Sequence, residues 1–191
     1  MEMSLGSVIG TGWASGINLY GTVLLLGLFG RLDVADTPEI LQSAPVLVGA
    51  AVLYLVEFVV DKIPYLDSGW DVVHTAIRPI GAALLGALLA GETLPDVVPA
   101  TVSGVTAFAS HATKAGTRLA VNASPEPGSN IAVSQLEDGL VAAMLWIAVS
   151  YPWLAAGLTA LLLAGGIALV VGLWKMIRRG MRRLRNSRAE T

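Results

Sequence analysis

The feature that most constrains this chain is a set of ionisable side chains placed at helical spacing inside segments that are otherwise apolar. Tyr54, Glu57 and Asp61 follow one another at steps of three and four. Asp67, Asp71, His74 and Arg78 do the same at four, three and four, and His111, Lys114, Arg118 and Asn122 at three, four and four. Residues three and four apart share one face of an α-helix, so each set reads as a single stripe. A further apolar segment adds Gln135, Glu137 and Asp138, with Ser134 beside them.

The segments that carry the stripes are long. A helix that crosses a bilayer needs about 20 mostly apolar residues, and six stretches meet that need. They run Leu5 to Phe29, Ala44 to Asp61, Ser68 to Ala90 (with Pro79 inside), Val97 to Val121, Ser129 to Ser150, and Pro152 to about Ile177. Trp153 and Trp174 bracket the last, as in an interfacial aromatic belt. Only 14% of the residues are charged and 54% are hydrophobic, far from the quarter charged of soluble domains. The fold class expected is an all-α, polytopic membrane protein with about six transmembrane helices.

Charge along the chain sets an expected orientation. Seven of the twelve Lys and Arg residues lie between Lys175 and Arg188. Directly after an apolar segment this cluster reads as a cytoplasmic anchor under the positive-inside rule, not as a nucleic-acid patch. The chain then divides into a single transmembrane domain, residues 1–177, and a basic cytoplasmic tail, 178–191. Six crossings place the N-terminus on the cytoplasmic side too. The turns at Lys62 to Asp67 and Asn122 to Ser129 fall on that side, and the loops Arg31 to Ser43 and Gly91 to Asp96 on the other.

Energetics decide where the stripes face. Each charged side chain at the centre of a spanning helix costs roughly 2.5–3.5 kcal/mol on the insertion scale, so about ten exposed to lipid would cost on the order of 30 kcal/mol. They must face one another or water. At about 1.5 Å of rise per residue, Glu137 and Asp138 lie roughly 12 Å into their span and Arg78 about 15 Å into its own. The groups therefore converge between the cytoplasmic surface and the midplane. The candidate transport or binding site is Glu57, Asp61, Asp67, Asp71, His74, Arg78, His111, Lys114, Arg118, Asn122, Glu137 and Asp138. Of these, Glu57, Asp61, Asp71, Glu137 and Asp138 set five negative charges against the three permanent cations Arg78, Lys114 and Arg118, and protonation of His74 and His111 would bring that sum to zero. Intramembrane ionisable residues usually mark a pathway; the alternative is a salt-bridge network that only pins the helices. Asp71 with His74, or Glu57 with Asp61, have ligand spacing for a divalent cation, although Lys114 and Arg118 oppose it. Arg78, Lys114 and Arg118 form the opposite pattern, a clamp for a phosphate or other anion.

Two further patterns bear on architecture. At an offset of 61 residues, Pro64 meets Pro125, Ser68 meets Ser129, and Val72 meets Val133. Asp61 falls on Asn122 and His74 on Gln135. This suggests two helix, proline turn, helix units, the kind of internal repeat from which transporters are built. In the first stretch, Gly6–Gly10 and Gly12–Gly16 are GxxxG pairs, which favour close helix packing and permit a homo-oligomer. Asn18 and Tyr20 would line a pathway if that helix is broken there.

Signatures of soluble enzymes are absent: there is no GxxxxGK, no HExxH and no GxSxG in the chain. There is no cysteine, so thiolate metal sites are excluded. No cofactor is expected and enzymatic activity is not favoured.

The runs EFVVDKIPYLDSGWD from Glu57 to Asp71 and HTAIRP from His74 to Pro79 resemble a bacterial membrane family filed as domain of unknown function 4126. So do HATKAGTR from His111 to Arg118, NASPEPGSN from Asn122 to Asn130 and SGINLY from Ser15 to Tyr20. The resemblance implies a small integral protein of a bacterial cytoplasmic membrane and no established activity. The residues themselves point to a small transporter or permeation pathway, proton- or cation-coupled, for an ion, a small anionic or phosphorylated solute, or a lipid. An intramembrane enzyme on a lipid-linked substrate, with His74 or His111 as acid/base, and a purely structural role are the alternatives. Membrane lipids and a small solute or ion are the partners expected, with no nucleic acid.

Overall fold

A computed structural model describes residues 3–91, 94–122 and 127–187, and among them every regular element is a helix. In chain order these are α1 (Leu5–Ile17), α2 (Leu19–Arg31), the short α3 (Glu39–Gln42), α4 (Ala44–Val60), α5 (Leu66–Ala90), α6 (Val97–Asn122), α7 (Pro127–Ser150) and α8 (Pro152–Ser187). Pro125, the proline of the second repeat unit, lies with the rest of residues 123–126 outside the described residues, as do residues 188–191 of the tail.

Local chemistry accounts for the boundaries. The Ser4 hydroxyl accepts from the Ser7 amide at the start of α1, as an N-cap should. Pro45 sits in the first turn of α4 and Pro152 opens α8, where a missing N–H costs nothing. Gly91 ends α5 at φ 56°, a conformation that side chains disfavour. α8 passes through residue 177 without a break and continues into the basic segment.

The first expected span is not one helix. It breaks at Asn18, whose backbone is extended at φ −148° and ψ 98°. The Asn18 side chain then caps α2 by accepting from the Gly21 amide at 2.8 Å. The two halves fold back on each other. The Met3 amide bonds the Leu89 carbonyl at the end of α5, and Gly6 lies against Pro152. At the far end of α2, Gly27 lies against Leu41 and Leu47. Met3 and Ser4 share a cavity with Val34, Ala35 and Asp36. The start of α1 and the end of α2 therefore lie at the same end of the bundle, and Asn18 is the tip of a helical hairpin. Each arm has 13 residues, about 20 Å at helical rise, short of a 30 Å hydrocarbon core.

This corrects the expected topology. α8 starts beside Gly6 and runs past Thr113 and Gly116 toward the end of α6. The start of α1 and the C-terminal end of α8 are thus at opposite ends of the bundle, not the same end.

α1 is the axis of the fold. Ala14, Val8 and nearly every other residue in it are buried. Its glycines make this possible. A Cβ at Gly10 would meet Ala155 at 2.9 Å and Ala148 at 3.0 Å, and one at Gly12 would meet the Ser103 backbone at 2.8 Å. Both GxxxG pairs are spent on packing α1 against α6, α7 and α8 within the chain. α5 packs chiefly on α6, so the two proposed repeat units meet across that pair, while α4 leans on α2.

The interior divides by height. Near the α1 N-terminus the core is apolar, built from Trp13, Leu85, Leu89, Met144, Leu145 and Ala148. Toward the other end it is charged. The outer faces are the reverse: Val48, Val52, Leu55 and Val59 of α4 and Leu84 of α5 are largely exposed. Apolar faces out and charged faces in suit a hydrocarbon surrounding. Leu66–Ala90, Gly128–Ser150 and Pro152–Met176 are long and apolar enough to cross a membrane, with α2 and α4 as shorter apolar helices.

Candidate functional site

Four helices and the hairpin tip bring the ionisable stripes together. Arg78 on α5 is fully buried and sits at the centre. Its Nη2 donates to Glu57 Oε1 at 2.8 Å, and its Nη1 to Asp71 Oδ1 at 3.0 Å and to His111 Nδ1 at 2.6 Å. Nη1 also reaches the Gly16 carbonyl at 3.4 Å, near the C-terminal end of α1. One turn further along α6, Lys114 Nζ donates to Asp61 Oδ2 at 2.7 Å, to the Ile17 carbonyl at 3.0 Å and to Glu57 at 3.5 Å. Both cations thus rest on the last carbonyls of α1, the negative end of its dipole.

A second tier lies beyond it. Arg118 makes a two-pronged contact with Glu137 of α7, donates to the Asp61 carbonyl at 2.6 Å and lies 3.5 Å from Asp67 Oδ2. Asn122 closes the stripe by donating to Asp67 Oδ1 at 2.8 Å and to the Ser68 hydroxyl at 2.9 Å. Every member of α5 and α6 named from the sequence is buried here, and the stripes close on one another.

The two histidines are held by fixed partners. Arginine can only donate, so His111 Nδ1 accepts from Arg78. Its Nε2 then carries the hydrogen, 3.1 Å from the Asp71 carbonyl and 3.2 Å from the Thr75 hydroxyl. His111 is therefore neutral in this arrangement and supplies no charge to balance the carboxylates. His74 Nδ1 donates to the Trp70 carbonyl at 2.8 Å, and the Tyr20 hydroxyl on α2 lies 3.0 Å from its Nε2. The Trp70 ring stacks on His74 at 4.5 Å between centroids.

Asp138 stands apart from the network. It accepts from Asn18 Nδ2 at 3.2 Å, beside the first turn of α2. The two share a separate cavity of about 190 Å³ with Gly21, Tyr54 and Val141. Gln135 is exposed and belongs to neither group. Sequence reasoning missed Asn130, which is fully buried and accepts from Arg118 at 3.3 Å. Asn130, Ser134 and Glu137 step by four and three, the same stripe rule that found the others.

The chain matches the family described as Domain of unknown function (DUF4126) over residues 5–172. It belongs to that family. No curated protein and no solved structure matches it. The matched range of this DUF4126 member takes in the whole hairpin and every residue of the buried network.

What the site can do follows from its charges. Glu57, Asp61, Asp67, Asp71 and Glu137 place five carboxylates against Arg78, Lys114 and Arg118. Two negative charges are left over with His111 neutral. Glu57 Oε2, Asp61 Oδ1 and Asp71 Oδ2 are buried without a hydrogen-bond partner among the described residues. A buried carboxylate oxygen without a donor is costly unless it carries a proton or meets a cation. Among the described residues no three His, Asp or Glu side chains gather closely enough to hold a metal ion. The anion clamp expected of Arg78, Lys114 and Arg118 is already closed on the protein's own carboxylates.

Proposed function

We propose that this protein is a small membrane transporter or permeation pathway whose buried ionisable site takes up protons, or a small cation, as its substrate moves. The observation that carries this reading is a set of five buried carboxylates sharing three cations beside the tip of a broken helix. Discontinuous helices whose half-helix ends meet ion-binding side chains near the midplane are a recurring construction of secondary transporters. Here the carbonyl end of α1 faces Arg78 and Lys114 while the amide end of α2 lies beside Asp138. A network meant only to pin helices would gain nothing from uncompensated charge. Because all three cations are paired, an anionic or phosphorylated solute would have to displace a carboxylate, so the geometry favours a proton or cation.

With the basic tail on the cytoplasmic side, α4 to α8 make five crossings and α1–α2 enters as a re-entrant hairpin from the opposite face. Irregular backbone at membrane depth is tolerated where it is buried in protein, as Asn18 is. The membrane is the bacterial cytoplasmic membrane in this reading, and its lipids are the surrounding partners.

The test is reconstitution in liposomes with a pH-sensitive dye inside. An imposed salt or pH gradient should drive proton movement in the presence of the transported cation. Glu57→Gln and Asp71→Asn should each reduce that movement at least about tenfold, as expected for loss of a coupling carboxylate. Proton and cation fluxes indistinguishable from protein-free liposomes across a panel of monovalent and divalent cations would sink the reading.

A further inference from the structure

Hydroxyls in these helices are ordinarily settled locally. Thr22, Thr75, Thr106 and Thr113 each donate to the carbonyl four residues back, at 2.7–3.1 Å. Thr11 and Ser15 on α1 are exceptions. Both are fully buried, and neither hydroxyl has a hydrogen-bond partner among the described residues. Ser103 on α6 is a third such hydroxyl, and its Oγ would lie 3.0 Å from a Cβ placed at Gly12. A buried hydroxyl without a partner is costly, and an internal water with two or more polar neighbours is the usual remedy.

The place of these hydroxyls in the fold gives them a use. Ser7, Thr11 and Ser15 step by four, so they share one face of α1. At one end, Ser7 and Ser4 line a cavity of about 350 Å³ whose walls include the exposed Val34 and Asp36. At the other end, the Gly16 and Ile17 carbonyls, directly after Ser15, accept from Arg78 and Lys114 of the charged network. The stripe covers about 12 Å at helical rise. Each step of four residues is about 6 Å, the span of two hydrogen bonds through a single water. Hydroxyls alternating with single waters would thus form an unbroken chain. The Gly10 side of the same helix is dry by composition, packed on Ala148 and Ala155.

We propose that the Ser7–Thr11–Ser15 face of α1 is a single-file hydrated path that links the cavity at Ser4 to the carboxylates held by Arg78, and that protons reach those carboxylates along it. Each hydroxyl takes a proton from one water and passes its own to the next, so no hydroxyl changes charge. The proton ends on Glu57 or Asp71, whose Oε2 and Oδ2 atoms have no hydrogen-bond partner among the described residues. This inference rests on the transport reading, for which it names the route, and the two can fail separately.

Water access is tested without reference to flux. Thr11→Cys and Ser15→Cys each put the chain's sole thiol on the stripe. Ala148→Cys puts one in the apolar core, fully buried at the height of Gly10. With the full chain in lipid nanodiscs moved into D2O, loss of the infrared S–H band reports exchange. Both stripe thiols should exchange at least about tenfold faster than the core thiol, which waits on local opening. In liposomes with a pH-sensitive dye inside, Thr11→Val and Ser15→Ala should each slow proton movement at least about tenfold, as for one hydrogen bond lost along the path. Thr11→Ser, which keeps the hydroxyl, should keep the rate. Stripe thiols that exchange no faster than the core thiol overturn the proposal whatever the flux. So does proton movement that Thr11→Val and Ser15→Ala leave unchanged, which would keep transport and reduce the stripe to packing. Fast exchange on the stripe with no proton movement by the unmodified chain would leave the hydrated path standing and remove transport.

Discussion

Arg78 shows how far one side chain can organise a buried site. It holds Glu57, Asp71 and His111 at once and reaches the Gly16 carbonyl of the hairpin. Removing one partner of such a set leaves the other charges buried and unpaired, which typically costs 3–5 kcal/mol. Arg78→Met should therefore lower stability by about 3–5 kcal/mol in reversible unfolding from micelles. Adding Glu57→Leu should return part of that loss, since it removes one of the stranded carboxylates. A loss under about 1 kcal/mol for the single variant would mean the charges are solvated instead of paired.

At the scale of elements, the decisive piece is the hairpin α1–α2, whose fit depends on missing side chains. A Cβ at Gly16 would collide with the Ala107 backbone and the Ser110 hydroxyl. Gly139 on the outer face of α7 has open space around it. Overpacking costs about 1–3 kcal/mol, whereas Gly to Ala in an unhindered helix gains about 0.5–1 kcal/mol. Gly16→Ala should accordingly lower the melting temperature and Gly139→Ala should raise it or leave it unchanged. Similar shifts for both would mean that α1 is not packed as described. The same hairpin explains where sequence reading stopped. Hydropathy sums along the chain and is blind to direction, so two 13-residue arms read as one span. The only local signal was Asn18 three residues before Gly21, an N-cap spacing inside an apolar run.

The whole molecule carries its own prediction, because the turn at Asn18 reverses the chain. The start of α1 and the loop after α2 lie at one end of the bundle and the end of α8 at the other. The chain has no cysteine, so single cysteines report without background. Ser4→Cys and Leu32→Cys, both at exposed positions, should react with a membrane-impermeant maleimide from the same side of sealed vesicles. Arg179→Cys should react only from the opposite side. Labelling of Ser4→Cys and Arg179→Cys from one side would restore six crossings and refute the re-entrant arrangement.

The sequence by itself determined the ionisable stripes on α4, α5 and α6, because helical periodicity and the cost of charge in hydrocarbon leave one inward-facing solution. It also determined the helical class, the family and the small-residue face of α1. It could not determine that α1 and α2 fold back, that Asn130 joins the network while Gln135 does not, or that Asp138 belongs to a separate cavity. Nor could it decide whether the stripes enclose an open site or close on one another. Those outcomes depend on which helix faces which, at what height and in what rotation. That is set by close contacts such as Gly12 against Ser103 and Arg78 against His111, between residues 91 and 33 positions apart in the chain. The closure of the network also revealed its imbalance, since only the geometry places His111 as an acceptor and leaves five carboxylates sharing three cations.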